Sequence, residues 1–303
     1  MKSIINETAF TGINEFVKRF PDEQSCRDYL SQARWNDKPI CPHCGSDRKV
    51  YKINNGKLLK CADCRKQFTI RLGTIFKDSA LTLQKWFMAI YILTAHKKGI
   101  SSLQLSRDIS VTQKTAWFML HRIRYAVKTK SFNKPLEGII ESDESYFGGV
   151  YSGKRGRGSE NKTPVFGMIE RQGEVRIMKV KDVKRTTLQG IINQNVAKGS
   201  TIMTDEWLAY NGLSNDYTHH RIGHLKKEYV RGGVHTQNIE GFWSLMKRGI
   251  VGIYHSVSPK HLDRYCDEFS FRYNSRKIND SERFTTTLGQ LSGRLTYKKL
   301  IEN

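Results

Sequence analysis

Glu141-Ser142-Asp143-Glu144-Ser145-Tyr146-Phe147-Gly148-Gly149 and Thr201-Ile202-Met203-Thr204-Asp205-Glu206-Trp207 are the two stretches that decide the fold. Each follows a strand-like run that delivers an aspartate at its end, and the first closes on a glycine pair suited to a tight turn. An unpaired carboxylate on a buried strand is costly, so two strands that each end on an acid point to a cation held between them. Around them, the strand-like runs VFGMI and EVRIMKV are interleaved with a helical stretch near 187–196, and a long helical tail begins near Thr236. That order predicts an α/β domain over 131–303, a mixed central sheet flanked by helices.

A third acid is sought in His235-Thr236-Gln237-Asn238-Ile239-Glu240-Gly241-Phe242-Trp243-Ser244-Leu245-Met246-Lys247. Ile239, Phe242, Trp243, Met246 and Ile250 form the apolar stripe of a helix, which leaves Asn238 and Glu240 on opposite edges. Glu240 shares its edge with Ser244 and, seven residues on, with Lys247, which could hold the phosphate of a strand end. Glu240 is favoured on that ground, with Asn238 as the alternative third ligand. An oxygen-only set of Asp143, Asp205 and Glu240 suits Mg²⁺ or Mn²⁺ rather than zinc.

Upstream, Ile100–Trp117 reads as a short helix, a break, a threonine suited to capping, and a longer helix, which is the helix-turn-helix pattern over 73–130. In that geometry Thr112, Gln113 and Lys114 meet base edges, and Arg122 and Arg124 meet phosphates. Between the first two strands of the α/β domain, Lys154, Arg155 and Arg157 sit among glycines as a basic tip suited to a DNA backbone. His219, His220, His224, Lys226 and Lys227 precede the third acid, with spacing that favours DNA contact over a zinc cluster.

Cys41-Pro42-His43-Cys44 and, after sixteen intervening residues, Cys61-Ala62-Asp63-Cys64 have the spacing of a zinc ribbon over 37–72. Four thiolates would close a tetrahedral structural site around one Zn²⁺. Residues 1–36 read as helical, with Pro21-Asp22-Glu23 as a helix start and Cys26 in its core.

The whole chain of 303 residues is basic, with 51 Lys+Arg against 29 Asp+Glu and a formal net charge of +22. Such a charge, spread over every segment, predicts a polyanionic partner, double-stranded DNA first. An apolar run of spanning length and an apolar signal segment are both missing from the sequence, so we expect no membrane association and a cytoplasmic, nucleoid-associated protein.

Together, the Cys-Pro-His-Cys-Gly ribbon, the Asp143–Gly149 run, the Thr204-Asp205 strand end and the His235–Gly249 segment resemble the zinc-ribbon DDE transposases of bacterial insertion sequences. The resemblance is to the group typified by insertion sequence 1595, with its ISXO2-like transposase domain, and runs over essentially the whole chain. It implies an RNase H-like catalytic fold, a DDE triad at Asp143, Asp205 and Glu240, and a helper lysine at Lys247. Some relatives carry asparagine as third ligand; the 34 residues between Asp205 and Glu240 suit the Glu form. The chemistry implied is phosphoryl transfer with two ions about 4 Å apart. It would act on terminal inverted repeats and target DNA, in a homodimer or higher oligomer. The rival readings are a transposase-derived regulator without catalysis and a nuclease that cuts without joining.

Overall fold

Short polar signals start the helices at the beginning of the chain. Ile13–Arg19 (α1) is followed by Glu23–Trp35 (α2), where Asp22 accepts the Ser25 N–H at 2.8 Å and Ser25 answers with a reciprocal bond, a capping box. Three short antiparallel strands come next: Val50–Ile53 (β1), Leu58–Cys61 (β2) and Gln67–Phe68 (β3). Asn54, Asn55 and Gly56 join the first pair with φ of 53°, 52° and 76°, the left-handed region that Asn and Gly tolerate best. Leu83–Ala95 (α3) follows, and Glu23 pins its start by accepting the Leu83 N–H at 2.6 Å and the Arg71 guanidinium at 2.8 Å. Ser102–Asp108 (α4) and Gln113–Ala126 (α5) are joined by a turn in which Ser110 has φ 52° and Thr112 caps α5.

The computed structural model describes residues 10–36, 38–128, 134–148, 162–223 and 233–302. They fall into two units, one of residues 1–127 with 276–303 and one of residues 128–275.

The second unit is a five-stranded sheet built from Ile139–Phe147 (β4), Thr163–Glu170 (β5), Val175–Lys179 (β6), Thr201–Asp205 (β7) and Thr218–Ile222 (β8). Its order is β6-β5-β4-β7-β8, antiparallel from β6 to β4 and parallel from β4 to β8. Arg185–Asn195 (α6) covers one face, burying Leu188 and Ile192 with Ile140, Phe166, Ile202 and Tyr210. Gln237–Gly249 (α7) and Leu262–Asn274 (α8) cover the other, where Ile239, Phe242, Trp243, Met246 and Phe269 meet Val165, Ile169 and Ile177. This is the expected mixed sheet flanked by helices, and the apolar stripe of α7 faces inward as its periodicity requires.

One expected boundary is corrected. The α/β domain does not run to residue 303, because the second unit closes at Ser275 and the remainder joins the first. Asp280–Gly289 (α9), started by an Asn279–Glu282 capping box, sends Phe284 into the aromatic core of the first unit, with ring centroids 5.4 Å from Phe87 and 5.6 Å from Phe20. Tyr297–Ile301 (α10) ends the described chain.

Candidate active site

Strand register brings the two sequence-distant aspartates together. Glu141 pairs with Met203 across the parallel β4–β7 ladder, so two steps further along both strands lie Asp143 and Asp205. Side chains alternate along a strand, which puts both on the face covered by α7. Their carboxylate oxygens and one from Glu144 all lie within 4.8 Å of one another. Glu144 was not singled out from sequence; strand alternation puts it on the opposite face. There it accepts the buried Tyr210 hydroxyl at 2.5 Å, while its ligand atom still belongs to the group with Asp143, in mid-strand on β4, and Asp205.

Two tryptophans orient the acids. The Trp243 indole Nε1 donates to Asp143 Oδ2 at 3.1 Å, and the Trp207 backbone N–H donates to Asp205 Oδ1 at 2.9 Å. Burial pushes the Asp143 carboxyl up to about 7, helped by the charges of Glu144, Asp205 and Glu240. Crowded, partly desolvated carboxylates of this kind fit a hard divalent cation, which relieves their repulsion with an all-oxygen donor set.

Trp243 can approach Asp143 because Gly167, its cross-strand neighbour, has no side chain. A Cβ at Gly167 would stand 2.5 Å from Trp243 Cζ2 and 3.1 Å from Ile177 Cγ2. Gly167→Ala should therefore displace the indole at a cost of about 1–3 kcal/mol, lowering the melting temperature and any activity that needs Asp143 held in place. Unchanged melting and unchanged activity would show that the indole contact is dispensable.

Glu240 is exposed on the first turn of α7 and accepts the Thr236 hydroxyl at 2.7 Å. It lies outside the 4.8 Å group, yet its charge is among those that raise Asp143. Asn238, the alternative third ligand, donates its Nδ2 to Glu141 Oε1 at 2.7 Å. Lys247 is exposed in the last turn of the same helix. On β8, His219 is half-buried and 3.0 Å from the Thr204 hydroxyl, and burial pushes it down to about 4, so it is neutral near pH 7.

In the first unit the four cysteines of the ribbon converge. Cys41 Sγ lies 3.6 Å from Cys64 Sγ, and Cys44 Sγ lies 3.7 Å from Cys61 Sγ. Four thiolates at about 2.3 Å from one zinc would be about 3.8 Å apart, so the set fits a tetrahedral ion. Each knuckle is followed by a left-handed residue, Gly45 at φ 74° and Arg65 at φ 59°, and the His43 N–H points at Cys41 Sγ at 3.4 Å.

Of the residues expected on DNA, Thr112, Gln113 and Lys114 are exposed at the start of α5. Gln113 Nε2 donates to Ser102 Oγ at 2.7 Å, and the Lys114 ammonium sits 5.1 Å from the Tyr297 ring centroid. Arg122 and Arg124 are corrected as phosphate contacts, because both are buried, 5% and 1% exposed. Arg122 holds the unit together instead, donating to the carbonyls of Leu295 at 3.1 Å and Ile75 at 2.8 Å. Lys154, Arg155, Arg157, His224, Lys226 and Lys227 lie outside the described residues.

Comparison with known proteins accords with this geometry. A family model described as the ISXO2-like transposase domain matches residues 135–274, and one described as the transposase zinc-ribbon domain matches 21–67. A protein of Halobacterium salinarum, described as an uncharacterized protein in transposable element ISH50, is 30% identical over 295 residues, covering 90% of this chain and 98% of its own. Among solved structures, the Mos1 mariner paired end complex with Mn is 12% identical, covers 63% of this chain and 71% of its own, and has a TM-score of 0.29. The Mos1 strand transfer complex is 13% identical, covers 68% and 74%, and has a TM-score of 0.29. With both domain matches in their expected order and a relative aligned almost end to end, the chain belongs to the IS1595 family of zinc-ribbon, ISXO2-like transposases.

Proposed function

We propose that this protein binds the terminal inverted repeats of a mobile element as double-stranded DNA, cuts a strand there and joins the freed 3′-hydroxyl to target DNA. The observation that carries this reading is the meeting of Asp143, in the middle of β4, with Asp205, at the end of the adjacent parallel strand β7, and the desolvation of Asp143 among other carboxylates. The sheet order, counted within the unit as third-second-first-fourth-fifth, supports an RNase H-like assignment.

Asp143, Asp205 and Glu240 are the ligands assigned to two Mg²⁺ or Mn²⁺ ions, with Glu144 beside them. Such ions, when bound, lower the barrier by favouring the deprotonated attacking hydroxyl and stabilising the leaving oxygen. The chain's own residues supply the rest. Trp243 and Trp207 hold one oxygen of each aspartate, which leaves the other oxygen of each for a cation. Lys247, on the same α7 edge as Glu240, binds a phosphate of the strand end. Thr112, Gln113 and Lys114 read DNA from a helix-turn-helix formed by α4 and α5. The four cysteines hold one structural Zn²⁺, and a homodimer or higher oligomer holds two ends together. None of the described helices is long and apolar enough to cross a membrane.

The test is a strand-transfer assay on pre-cleaved element ends with Mg²⁺ or Mn²⁺. Joined product is expected. Cleavage of uncut ends with no joining of pre-cleaved ones would make the protein a nuclease, and end binding with neither step would make it a regulator.

A further inference from the structure

Glu141 is a fully buried carboxylate two residues before Asp143, and the ligand assignment above makes no use of it. Its oxygens are saturated by the entrance to α7. Oε2 accepts the backbone N–H groups of Asn238 at 2.8 Å and Ile239 at 3.1 Å, and Oε1 accepts the Asn238 side-chain amide at 2.7 Å. His235 Nδ1 lies 3.3 Å from Oε1. Arg171 closes the arrangement: its Nε donates to Glu141 at 2.8 Å, and its other nitrogens donate to the carbonyls of Gly233 at 2.9 Å and His235 at 3.1 Å. A strand carboxylate thus caps a helix whose own N-cap, Thr236, makes no side-chain cap bond. The helix dipole and charge-assisted bonds both favour an anion there.

We propose that Glu141 and Arg171 form a positioning clamp that docks the first turn of α7 onto β4 and so sets Glu240 against Asp143 and Asp205. Glu141 and Asp143 share one strand face, two residues apart. Glu240 follows by one residue the last backbone N–H that Glu141 holds. A short rigid path therefore joins the two acids, and the clamp fixes its middle. Asn238 is a component of this clamp and not a ligand. The inference rests on Glu240 being the third ligand.

Mn²⁺ titration of the zinc-loaded full chain, read by electron paramagnetic resonance with Asp143→Asn as the blank, tests it. Glu141→Gln should weaken Mn²⁺ binding about 10–100-fold, the range for residues that orient a metal ligand, with the thermal melt still cooperative. Asn238→Asp separates the two roles of Asn238 by sign. As a clamp partner, an aspartate there opposes Glu141 and weakens Mn²⁺ binding; as a ligand, it would add charge and tighten it. Asn238 is exposed, so this variant carries the test if Glu141→Gln does not fold. In a Glu240→Gln background both changes should have little further effect. Tighter binding by Asn238→Asp, unchanged binding in both variants, or full additivity with Glu240→Gln would overturn the clamp. Unchanged binding in Glu240→Gln alone would overturn Glu240 as a ligand, a separate failure seen without touching Glu141.

Discussion

Asp143→Asn is expected to lower strand cleavage and joining by at least about 10²–10³-fold, the range for removing one preorganised electrostatic stabiliser, while leaving binding to element-end DNA intact. The change is nearly isosteric, and the amide can still accept the Trp243 N–H that Asp143 accepts at 3.1 Å. What it removes is a negative charge from a cluster in which burial and neighbouring acids already push Asp143 up to about 7. The linkage sign follows from that direction. A carboxyl raised in the folded state weakens folding at pH values above its folded pKa and stops doing so below its unfolded value near 3.8. Without divalent cations, the protein should therefore gain stability from this group as pH falls from about 7 toward about 4. In zinc-loaded protein with no added Mg²⁺ or Mn²⁺, Asp143→Asn should melt higher than the parent at pH 8, and it should lose the stabilisation that Mn²⁺ gives the parent. A melt that Mn²⁺ shifts equally in both proteins would place the cation elsewhere.

Removing zinc should unfold the ribbon alone. Its core consists of Cys41, Leu59, Cys61 and Phe68, with Trp35, Val50, Cys64 and Leu72 partly buried around them. Burying Leu59 and Phe68 contributes about 1.5–3 kcal/mol each, against about 10–16 kcal/mol of apparent free energy for a structural zinc site. The metal term dominates, and the β1–β2–β3 ladder should not survive its loss. Chelation, or Cys64→Ser, is expected to expose the amides of residues 50–68 to rapid hydrogen exchange while amides of β4, β5 and β7 stay protected. Ribbon amides that remain protected in zinc-stripped protein would show that the module folds on its own apolar contacts.

Local signals carried much of the fold. The strand end at Asp205, the Asn54-Asn55-Gly56 turn and the Asp22 helix start are each set by a few adjacent residues, and each stands where the sequence puts it; Asp143, expected at a strand end, lies in the middle of β4, which runs on to Phe147 through its pairing with β5. What escaped the sequence depends on partners far away in the chain. Arg122 looked like a phosphate contact on a basic helix, but its acceptor at Leu295 lies 173 residues on, in a segment that returns to the first unit. Glu144 stands next to Asp143 on β4 and alternation points it to the other face, yet a carboxylate oxygen of each lies within 4.8 Å of the other and of Asp205. Helix edges distinguish Glu240 from Asn238 but do not reveal that the Asn238 amide nitrogen bonds Glu141. That contact exists only once β4 and α7 are docked.

The most direct measurement is anomalous diffraction at the manganese edge from crystals of the full chain grown with Mn²⁺. Manganese peaks are expected within coordination distance of Asp143, Asp205 and Glu240, with the Asn238 amide still on Glu141. Peaks bound by Asn238 in place of Glu240, or no peak at Asp143 and Asp205, would contradict the account.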